Sequence, residues 1–132
     1  MLINDQMISK YYISAYEDIN IQITEYKKSS DGKNQQLLHK ITSTCMVSYE
    51  NLFLDYTDSK FVDLNIDLLK KINGIEMLLI GTGITHSFPA KQLYCKLGEL
   101  PYSIDFMDTH AACRTFNILT NENRKVAALL FI

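Results

Sequence analysis

Short hydrophobic runs and amphipathic segments alternate along the second half of the chain. The run IEMLLI at 75–80 is almost continuously apolar, as is typical of a strand covered on both faces. The segment YSIDFM at 102–107 predicts a second strand, and the last run, KVAALLFI at 125–132, predicts a third. Because this last run is apolar on both faces, we expect it in the middle of a sheet rather than at an edge.

Helices are predicted before and between these strands. Apolar residues spaced three and four apart predict a first helix, which Gly74 ends. A second helix has Pro89 in its first turn, where the missing N–H costs nothing. A third helix covers 110–119, and Asp108 or Thr109 is expected to cap its start. The second half of the chain is therefore predicted to be β-α-β-α-β.

Alternation of apolar and polar residues predicts strands in the first half. In INIQITEY at 19–26, isoleucines alternate with polar residues, which gives one buried and one solvated face. A turn containing Gly32 follows, and the segments at 36–41 and 51–57 predict further strands. We expect all these strands to join the sheet of the second half. The chain is thus predicted to form one α/β domain over residues 1–132.

Composition and charge exclude several classes of function. The chain has 132 residues, of which 47% are hydrophobic and 21% charged, as is ordinary for one globular domain. The formal net charge is −2 and basic residues are scattered among carboxylates, so we expect no nucleic-acid binding. No apolar run approaches the roughly 20 residues that span a bilayer, so we expect no membrane insertion.

The N-terminal residues and the cysteines predict a cytoplasmic protein. The N-terminal residues lack the basic and long apolar regions of a signal peptide, and they do not have the composition of a transit peptide. Cys45, Cys95 and Cys113 are odd in number, widely spaced and outside any Cys-x-x-Cys pair. This pattern is typical of free thiols in a reducing compartment.

The stretch LLIGTGITHSFP at 78–89 contains a GTG motif at 81–83. A dinucleotide-binding fingerprint needs a third glycine three positions after the second, where this chain has His86. A Walker-type phosphate loop ends in Gly-Lys-Ser/Thr, and no lysine follows here before Lys91. We therefore interpret the motif as the corner at the end of a strand. We predict no bound cofactor and no nicotinamide or adenine nucleotide.

Candidates for metal binding and for catalysis are weak. Four side chains have the right atom types for zinc, but their spacing is not that of a zinc site, so we expect no metal. Cys113 lies near a predicted helix N-terminus, which lowers the pKa of a thiol. A carboxylate at that end, Asp108, opposes this effect, and we expect no catalytic residue and no enzymatic activity. The four zinc candidates are His86, Cys95, His110 and Cys113.

Polar residues and glycines collect where the predicted parallel strands end and helices begin. In open α/β sheets this carboxyl edge is where crevices form. The same residues are also consistent with a capped helix that has a solvated face. We define the candidate crevice or interaction site as the set of Gly81, Thr82, Gly83, Asp108, Thr109, Arg114 and Asn117.

The stretches LLIGTG at 78–83, FPAKQL at 88–93 and IDFMDTHAACRTFNIL at 104–119, with VAALL after them, carry a family resemblance. They resemble the family that includes the mitochondrial complex I assembly factor three and many uncharacterised bacterial relatives. The resemblance covers about residues 75–131 most closely. It implies a three-layer α/β fold with a central mixed sheet, and an assembly or accessory role without established enzymatic activity.

The resemblance also implies recurrent positions and one departure. Many relatives carry basic or amide residues just after the second glycine, whereas this chain has Ile84-Thr85-His86. A contact made by those residues would therefore differ here. Because the chain has no mitochondrial presequence, it resembles the bacterial branch. The positions that the family implies are Gly81, Gly83, Asp108, Thr109, Ala112 and Asn117.

Two functions remain open from the sequence. The first is a non-catalytic protein that helps a larger complex to form through protein–protein contacts. The alternative is a small-molecule-binding protein or enzyme that uses the crevice beside Gly81 and Asp108. Arg114 tests the first, because no carboxylate lies four residues from it on the predicted helix. We expect Arg114→Ala to change stability little and to weaken partner capture.

Overall fold

The computed structural model describes residues 10–17, 20–28 and 32–132. It contains eight strands in this part of the chain, and we number them in chain order. They are β1 (Tyr11–Tyr16), β2 (Ile21–Lys28), β3 (Asn34–Ile41), β4 (Cys45–Ser48), β5 (Leu52–Phe53), β6 (Met77–Gly81), β7 (Ser103–Met107) and β8 (Val126–Leu130). The helices are α1 (Ile66–Lys70), α2 (Lys91–Tyr94) and α3 (Thr109–Asn121), with 3₁₀ turns at Phe61–Asp63 and Leu97–Glu99.

A five-stranded mixed sheet forms the centre of the protein. Its strand order is β5-β4-β8-β6-β7. Strands β6, β7 and β8 are parallel, while β4 runs antiparallel to β8 and to β5. All five residues of β8 are buried. This confirms the prediction that the last apolar run lies inside the sheet, because a strand with neighbours on both edges and cover on both faces has no wet side.

The first three strands form a separate antiparallel sheet of order β1-β2-β3. The prediction that the strands at 19–26 and 36–41 join the sheet of the second half is therefore wrong, whereas the strand predicted at 51–57 does join it as β5. Alternation in β2 is as predicted at Ile21 and Ile23, which are buried; Ile19 of the same pattern lies outside the described residues. Alternation identifies a buried face, but it does not say whether a strand pairs edge to edge with another sheet or packs against its face.

Three layers result, with the mixed sheet in the middle. The β1–β3 sheet and α3 cover one face of the mixed sheet, and α1, α2 and the 3₁₀ turns cover the other. On the first face, Phe116 of α3 belongs to the same buried cluster as Ile13, Val47 and Leu79. The predicted three-layer α/β fold with a central mixed sheet is confirmed.

The helix ends differ from the sequence-based predictions. Helix α1 is capped by Asn65, whose side chain accepts a hydrogen bond from the Leu68 N–H at 3.2 Å. It ends at Lys70, so Gly74 follows the helix by several residues and takes a φ of +75° in the next turn. Pro89 lies before the N-cap of α2 rather than in its first turn. The two helices have only five and four residues.

The predicted strand at 51–57 is also shorter in the structure. Only Leu52–Phe53 is strand, and Asp55 has a φ of +50°. A positive φ at a non-glycine residue turns the chain away from extended geometry. The strands predicted at 36–41, 75–80, 102–107 and 125–132 are confirmed within one or two residues at most ends.

Candidate functional site

The end of β6 packs against the start of α3 at Gly81. A Cβ atom added to Gly81 would lie 2.9 Å from both the Cα and the Oγ1 of Thr109, and 3.2 Å from Leu130 Cδ2. Contacts this short are strongly repulsive. Glycine is therefore required here by the close approach of strand and helix, and not by an unusual φ.

The hydroxyl of Thr109 joins three segments of the chain at this point. It donates a hydrogen bond to the Phe131 carbonyl at 2.7 Å and accepts one from the Gly83 N–H at 2.9 Å. The Thr109 N–H in turn donates to the Gly83 carbonyl at 2.8 Å. Gly83 has a φ of +112°, a conformation that side-chain-bearing residues rarely adopt.

The hydrogen bonds of the Thr82 and Gly83 amides distinguish a phosphate-binding loop from a corner at the end of a strand. The Thr82 N–H donates to the Met107 carbonyl at 2.8 Å, and the Gly83 N–H is held by Thr109. A phosphate-binding loop needs such amides to point at the ligand. Because both amides bond within the protein, the interpretation of the motif as a corner is confirmed.

The loop between β6 and α2 is held by side-chain hydrogen bonds. Thr82 Oγ1 donates to the Thr85 carbonyl at 2.8 Å and accepts from the Ser87 N–H at 3.0 Å. His86 Nε2 donates to the Phe106 carbonyl at 3.2 Å. The His86 ring also packs edge-to-face against Phe88, with 4.8 Å between ring centroids. The loop therefore has a defined shape.

Two large apolar side chains of this loop face solvent. Phe88 is 81% exposed and Ile84 is 64% exposed. We call Ile84 and Phe88, with the backbone between them, the β6–α2 loop surface. Exposed apolar side chains that are grouped, rather than scattered singly, mark interaction sites, and this loop carries two of them. The sequence analysis noted Ile84 as part of a departure from the family pattern and Phe88 as part of a stretch that carries the resemblance, but it did not indicate that either side chain is exposed.

Asp108, one of the two residues predicted to cap α3, is its N-cap. Its Oδ1 accepts a hydrogen bond from the Ala111 N–H at 2.8 Å. A carboxylate at this position satisfies an amide of the first turn and interacts favourably with the helix dipole. Asp108 is thus used in stabilising the helix start.

The crevice beside the candidate site is small. The cavity between the GTG corner and the start of α3 has a volume of about 10 Å³, with Gly83, Ile84, Thr109, His110 and Phe131 among its walls. That is about the minimum space for one water molecule. A metabolite does not fit into the cavity as it is formed.

Asn117 lies on the side of α3 that faces β1. Its Oδ1 accepts a hydrogen bond from the Ile13 N–H at 2.8 Å, and its Nδ2 donates to the Ile13 carbonyl at 2.9 Å. The side chain thus bonds to one residue of β1 as a neighbouring strand would. The structure places Asn117 between α3 and β1, within one layer of the fold, and does not bring it into the crevice.

Arg114 also bonds to β1. Its guanidinium donates a hydrogen bond to the Tyr16 side chain, and this bond raises the pKa of Arg114. Arg114 therefore has a side-chain partner that the spacing of carboxylates along the helix did not reveal. The sequence reasoning considered only neighbours along the helix, whereas the partner belongs to a strand almost a hundred residues earlier. Of the seven candidate residues, five meet at the GTG corner and the start of α3, while Arg114 and Asn117 contact β1.

The cysteine and histidine candidates lie in different places. Cys113 is buried, and burial raises the pKa of its thiol to about 12. A thiol with such a pKa is protonated and a poor nucleophile at neutral pH. Cys95 is exposed at the end of α2, and the His110 ring packs 5.0 Å from the Tyr16 ring. Over the described ranges, no three His, Cys, Asp or Glu side chains are grouped as metal ligands.

A larger groove lies on the other face of the mixed sheet. It has a volume of about 420 Å³ and opens between the β4–β5 hairpin and the segment that follows α1. Its floor and walls include Met46, Phe53, Tyr56 and Ile72, and Lys71 lies at its rim. The sequence analysis missed this groove, because it is formed by segments that share no motif.

The sequence places the chain in a known family. Residues 13–131 match the family described as "Protein of unknown function (DUF498/DUF598)". The chain belongs to this family. The resemblance to a family with uncharacterised bacterial members is thereby confirmed, and the match covers most of the chain, including the first strands.

Relatives and solved structures agree with the fold. A Francisella tularensis protein named "13 kDa major membrane protein" is 31% identical over 90 residues, covering 68% of this chain and 71% of the relative. A Bordetella parapertussis crystal structure shares the fold with a TM-score of 0.73 at 23% identity, over 94% of this chain and 97% of that one. The structure of "an outer membrane protein" from Bartonella henselae has a TM-score of 0.66 at 30% identity, over 93% and 95% of the two chains.

None of the helices in the described ranges has the length and apolar character needed to cross a bilayer.

Proposed function

We propose that this protein is a non-catalytic interaction module that helps a larger assembly to form, and that the β6–α2 loop surface contacts its protein partner. One observation carries the proposal: Phe88 is 81% exposed although hydrogen bonds and a ring contact hold its loop in place. An exposed aromatic side chain on an ordered loop loses little conformational entropy on binding. Such side chains are frequent anchors of protein interfaces.

The small volume of the predicted crevice and the hydrogen bonds of the side chains around it support the same function. Its volume of about 10 Å³ leaves no room for a substrate. The side chains that surround it are used in the fold, since Thr109 bonds to Phe131 and Gly83 while Asp108 caps α3. Cys113 is buried with a raised pKa. These contacts favour a protein-binding role over chemistry at this edge of the sheet.

Mutation of Phe88 tests the proposal. Tagged protein would be captured from its native cells with Phe88→Ser, and with Val62→Ser as a matched control, since Val62 is 73% exposed. We expect the wild-type protein and the control to recover the same partner, and Phe88→Ser to lose it with an unchanged melting temperature. Equal recovery by all three proteins would contradict the proposal.

A cytoplasmic location is part of the proposal. Its support is the odd number of unpaired cysteines, of which Cys45 and Cys113 are buried. Two relatives carry "membrane" in their names, so location needs a direct measurement. We expect the protein in the soluble fraction after cell lysis. Recovery in the membrane pellet after a high-salt wash would contradict this location.

The 420 Å³ groove favours a second candidate function, the binding of a small molecule that has an aromatic ring and an anionic group. Its volume lies within the range of ligand-binding pockets, roughly 300–1,000 Å³. The rings of Phe53 and Tyr56 lie 6.2 Å apart in its wall, and Lys71 has no ion-pair partner among the described residues. The groove thus offers aromatic surface together with a lysine that makes no direct ion pair within the described ranges, although the carboxylate of Glu50 also lines it. This candidate moves the predicted small-molecule site away from Gly81.

Titration with an aromatic sulfonate, anilinonaphthalene sulfonate, tests the second candidate. We expect saturable fluorescence, weakened by Lys71→Met and unchanged by Lys60→Met, because Lys60 does not line the groove. Identical titrations for both variants would show that the groove is not the binding site. Such a result would leave the interaction proposal intact. The groove candidate depends on Lys71 and the groove, whereas the interaction proposal depends on Phe88 and the β6–α2 loop surface.

A further inference from the structure

The two outer edges of the three-stranded sheet differ. On β1, the Asn117 side chain bonds to both the N–H and the carbonyl of Ile13, which lies opposite Ile23 of β2. This edge is therefore occupied by α3. On the other side β3 is the edge strand, and no strand of residues 10–17, 20–28 or 32–132 pairs with its outer side.

The ladder defines which residues of β3 present their backbone groups outward. The Tyr26 N–H donates to the Lys10 carbonyl at 2.8 Å. The backbone N–H and carbonyl of Tyr26, and of every second residue of β2 from it, therefore point toward β1. The backbone groups of the alternate residues, including Ile23 and Glu25, point toward β3, where their partners are His39 and Leu37. The residues of β3 whose N–H and carbonyl point away from β2 are therefore Asn34, Gln36, Leu38 and Lys40.

We infer that this edge pairs with the same edge of a second copy of the chain. A two-fold axis through Leu37 brings antiparallel strands together with Gln36 opposite Leu38, and Asn34 opposite Lys40. All the outward groups of both strands are then paired, and the two sheets become one continuous six-stranded sheet. Such self-complementary contact is the isologous arrangement common in dimers.

Charge and apolar surface agree with this register. Lys40 is the only Lys, Arg, Asp or Glu in β3, and it lies opposite Asn34 rather than opposite its own copy. Like charges directly opposite each other, which destabilise strand pairs, are thus avoided. Leu37 meets its own copy on the axis, and Leu38 lies over Gln36. The two leucines are 38% and 63% exposed in the single chain, so pairing would cover apolar surface that water now contacts.

The edge also lacks the features that block such pairing. Natural edge strands are protected by several charges, by proline, by bulges or by a short length. Strand β3 has eight residues in unbroken register with β2 and no proline. Contact by one strand from each copy is a small interface, so we expect a reversible dimer whose population rises with concentration.

Sedimentation equilibrium of the full chain over a range of concentrations tests the inference. We expect a monomer–dimer equilibrium for the wild type. Gln36→Pro removes an outward N–H and leaves the β2 ladder intact, since proline is tolerated where the N–H faces solvent. We expect it to raise the dimer dissociation constant at least about tenfold, and Gln36→Ala to leave it near the wild-type value. A wild type that is monomeric throughout, or a dimer that persists in Gln36→Pro, would overturn the inference.

The register is tested by opposite charges at one position. Because Leu37 faces its own copy, Leu37→Lys alone and Leu37→Glu alone are both expected to be monomeric. An equimolar mixture is expected to form the mixed dimer, with the two new charges paired across the axis. Circular dichroism of each variant shows that it is folded before mixing. Failure of the mixture to dimerise, with both variants folded, would refute pairing about Leu37.

Discussion

Replacement of Gly81 by alanine is the sharpest test of the packing at the candidate site. The added Cβ would lie 2.9 Å from two atoms of Thr109 and 3.2 Å from Leu130. Two of these neighbours are poorly able to move: the Thr109 Cα belongs to the first turn of α3, and Leu130 is fully buried. The strand, the helix or both must therefore shift.

The expected cost follows from that overlap. Overpacking of a buried site costs typically about 1–3 kcal/mol. Alanine also restricts the unfolded chain, which offsets about 0.4–1 kcal/mol. A shift of Thr109 further strains its hydrogen bonds to Phe131 and Gly83, each with a net worth of about 0.5–1.5 kcal/mol. We therefore expect Gly81→Ala to lower the free energy of unfolding by about 2 kcal/mol.

Urea unfolding followed by circular dichroism measures this change. With a slope of roughly 1–3 kcal/mol per molar urea, the midpoint falls by roughly 1 M. Gly98→Ala is the matched control, because nothing lies within 4 Å of an added Cβ there and its φ is not positive. It should be neutral or slightly stabilising. If Gly81→Ala unfolds at the same urea concentration as Gly98→Ala, the close approach of β6 and α3 is not a constraint, and the reasoning fails.

Three further predictions concern single side chains. Asn117→Ala leaves the Ile13 N–H and carbonyl without partners, so we expect a loss of about 2–3 kcal/mol in urea unfolding; a loss below that of a surface alanine variant would contradict it. Arg114→Ala should lower the melting temperature only slightly and leave partner capture unchanged, against the sequence-based prediction, and reduced capture would restore Arg114 to the interface. Hydrogen bonds from Arg124 and from the backbone lower the pKa of Glu76 below its usual 4.5, so its charge stabilises the folded state above that pH, and this is lost as pH falls through the lowered value. The melting temperature of Glu76→Gln should therefore be lower than that of the wild type at pH 7 and approach it as the pH falls through the lowered pKa of Glu76. A difference that does not depend on pH would show that the pKa shift contributes nothing.

Local pattern alone was enough for much of the second half of the chain. Continuous apolar runs predicted β6 and β8. A residue able to cap a helix, followed by apolar residues at helical spacing, predicted the start of α3 near Asp108. These features are local, since the burial of a strand on both faces and the capping of a helix depend on residues a few positions apart. The corner at the GTG motif was identified for the same reason: two glycines without a phosphate-binding lysine are a property of one short stretch.

Contacts between distant segments depended on the tertiary structure. Asn117 and Ile13 are 104 positions apart, and no pattern around either residue names the other. Likewise, apolar alternation in β2 is the same whether β1–β3 extend the mixed sheet or pack on its face. Stacking allows the β1–β3 sheet to lie beside α3 over one face of the mixed sheet, burying Ile21 and Ile23 against both. Which surface covers the apolar face of a strand depends on residues that are distant in the sequence. The local pattern of apolar and polar residues therefore does not identify that surface.

The candidate site shows the same division. The sequence located the residues at the carboxyl ends of β6 and β7, because strand ends and helix starts have recognisable residues. The space between them depends on the distance between β6 and α3, which Gly81 and Thr109 set by direct contact. The crevice beside that contact is only about 10 Å³, while Phe88 in the following loop is exposed to solvent. Side-chain volume and backbone approach in three dimensions, rather than residue type along the chain, thus decided which part of this edge is open to solvent.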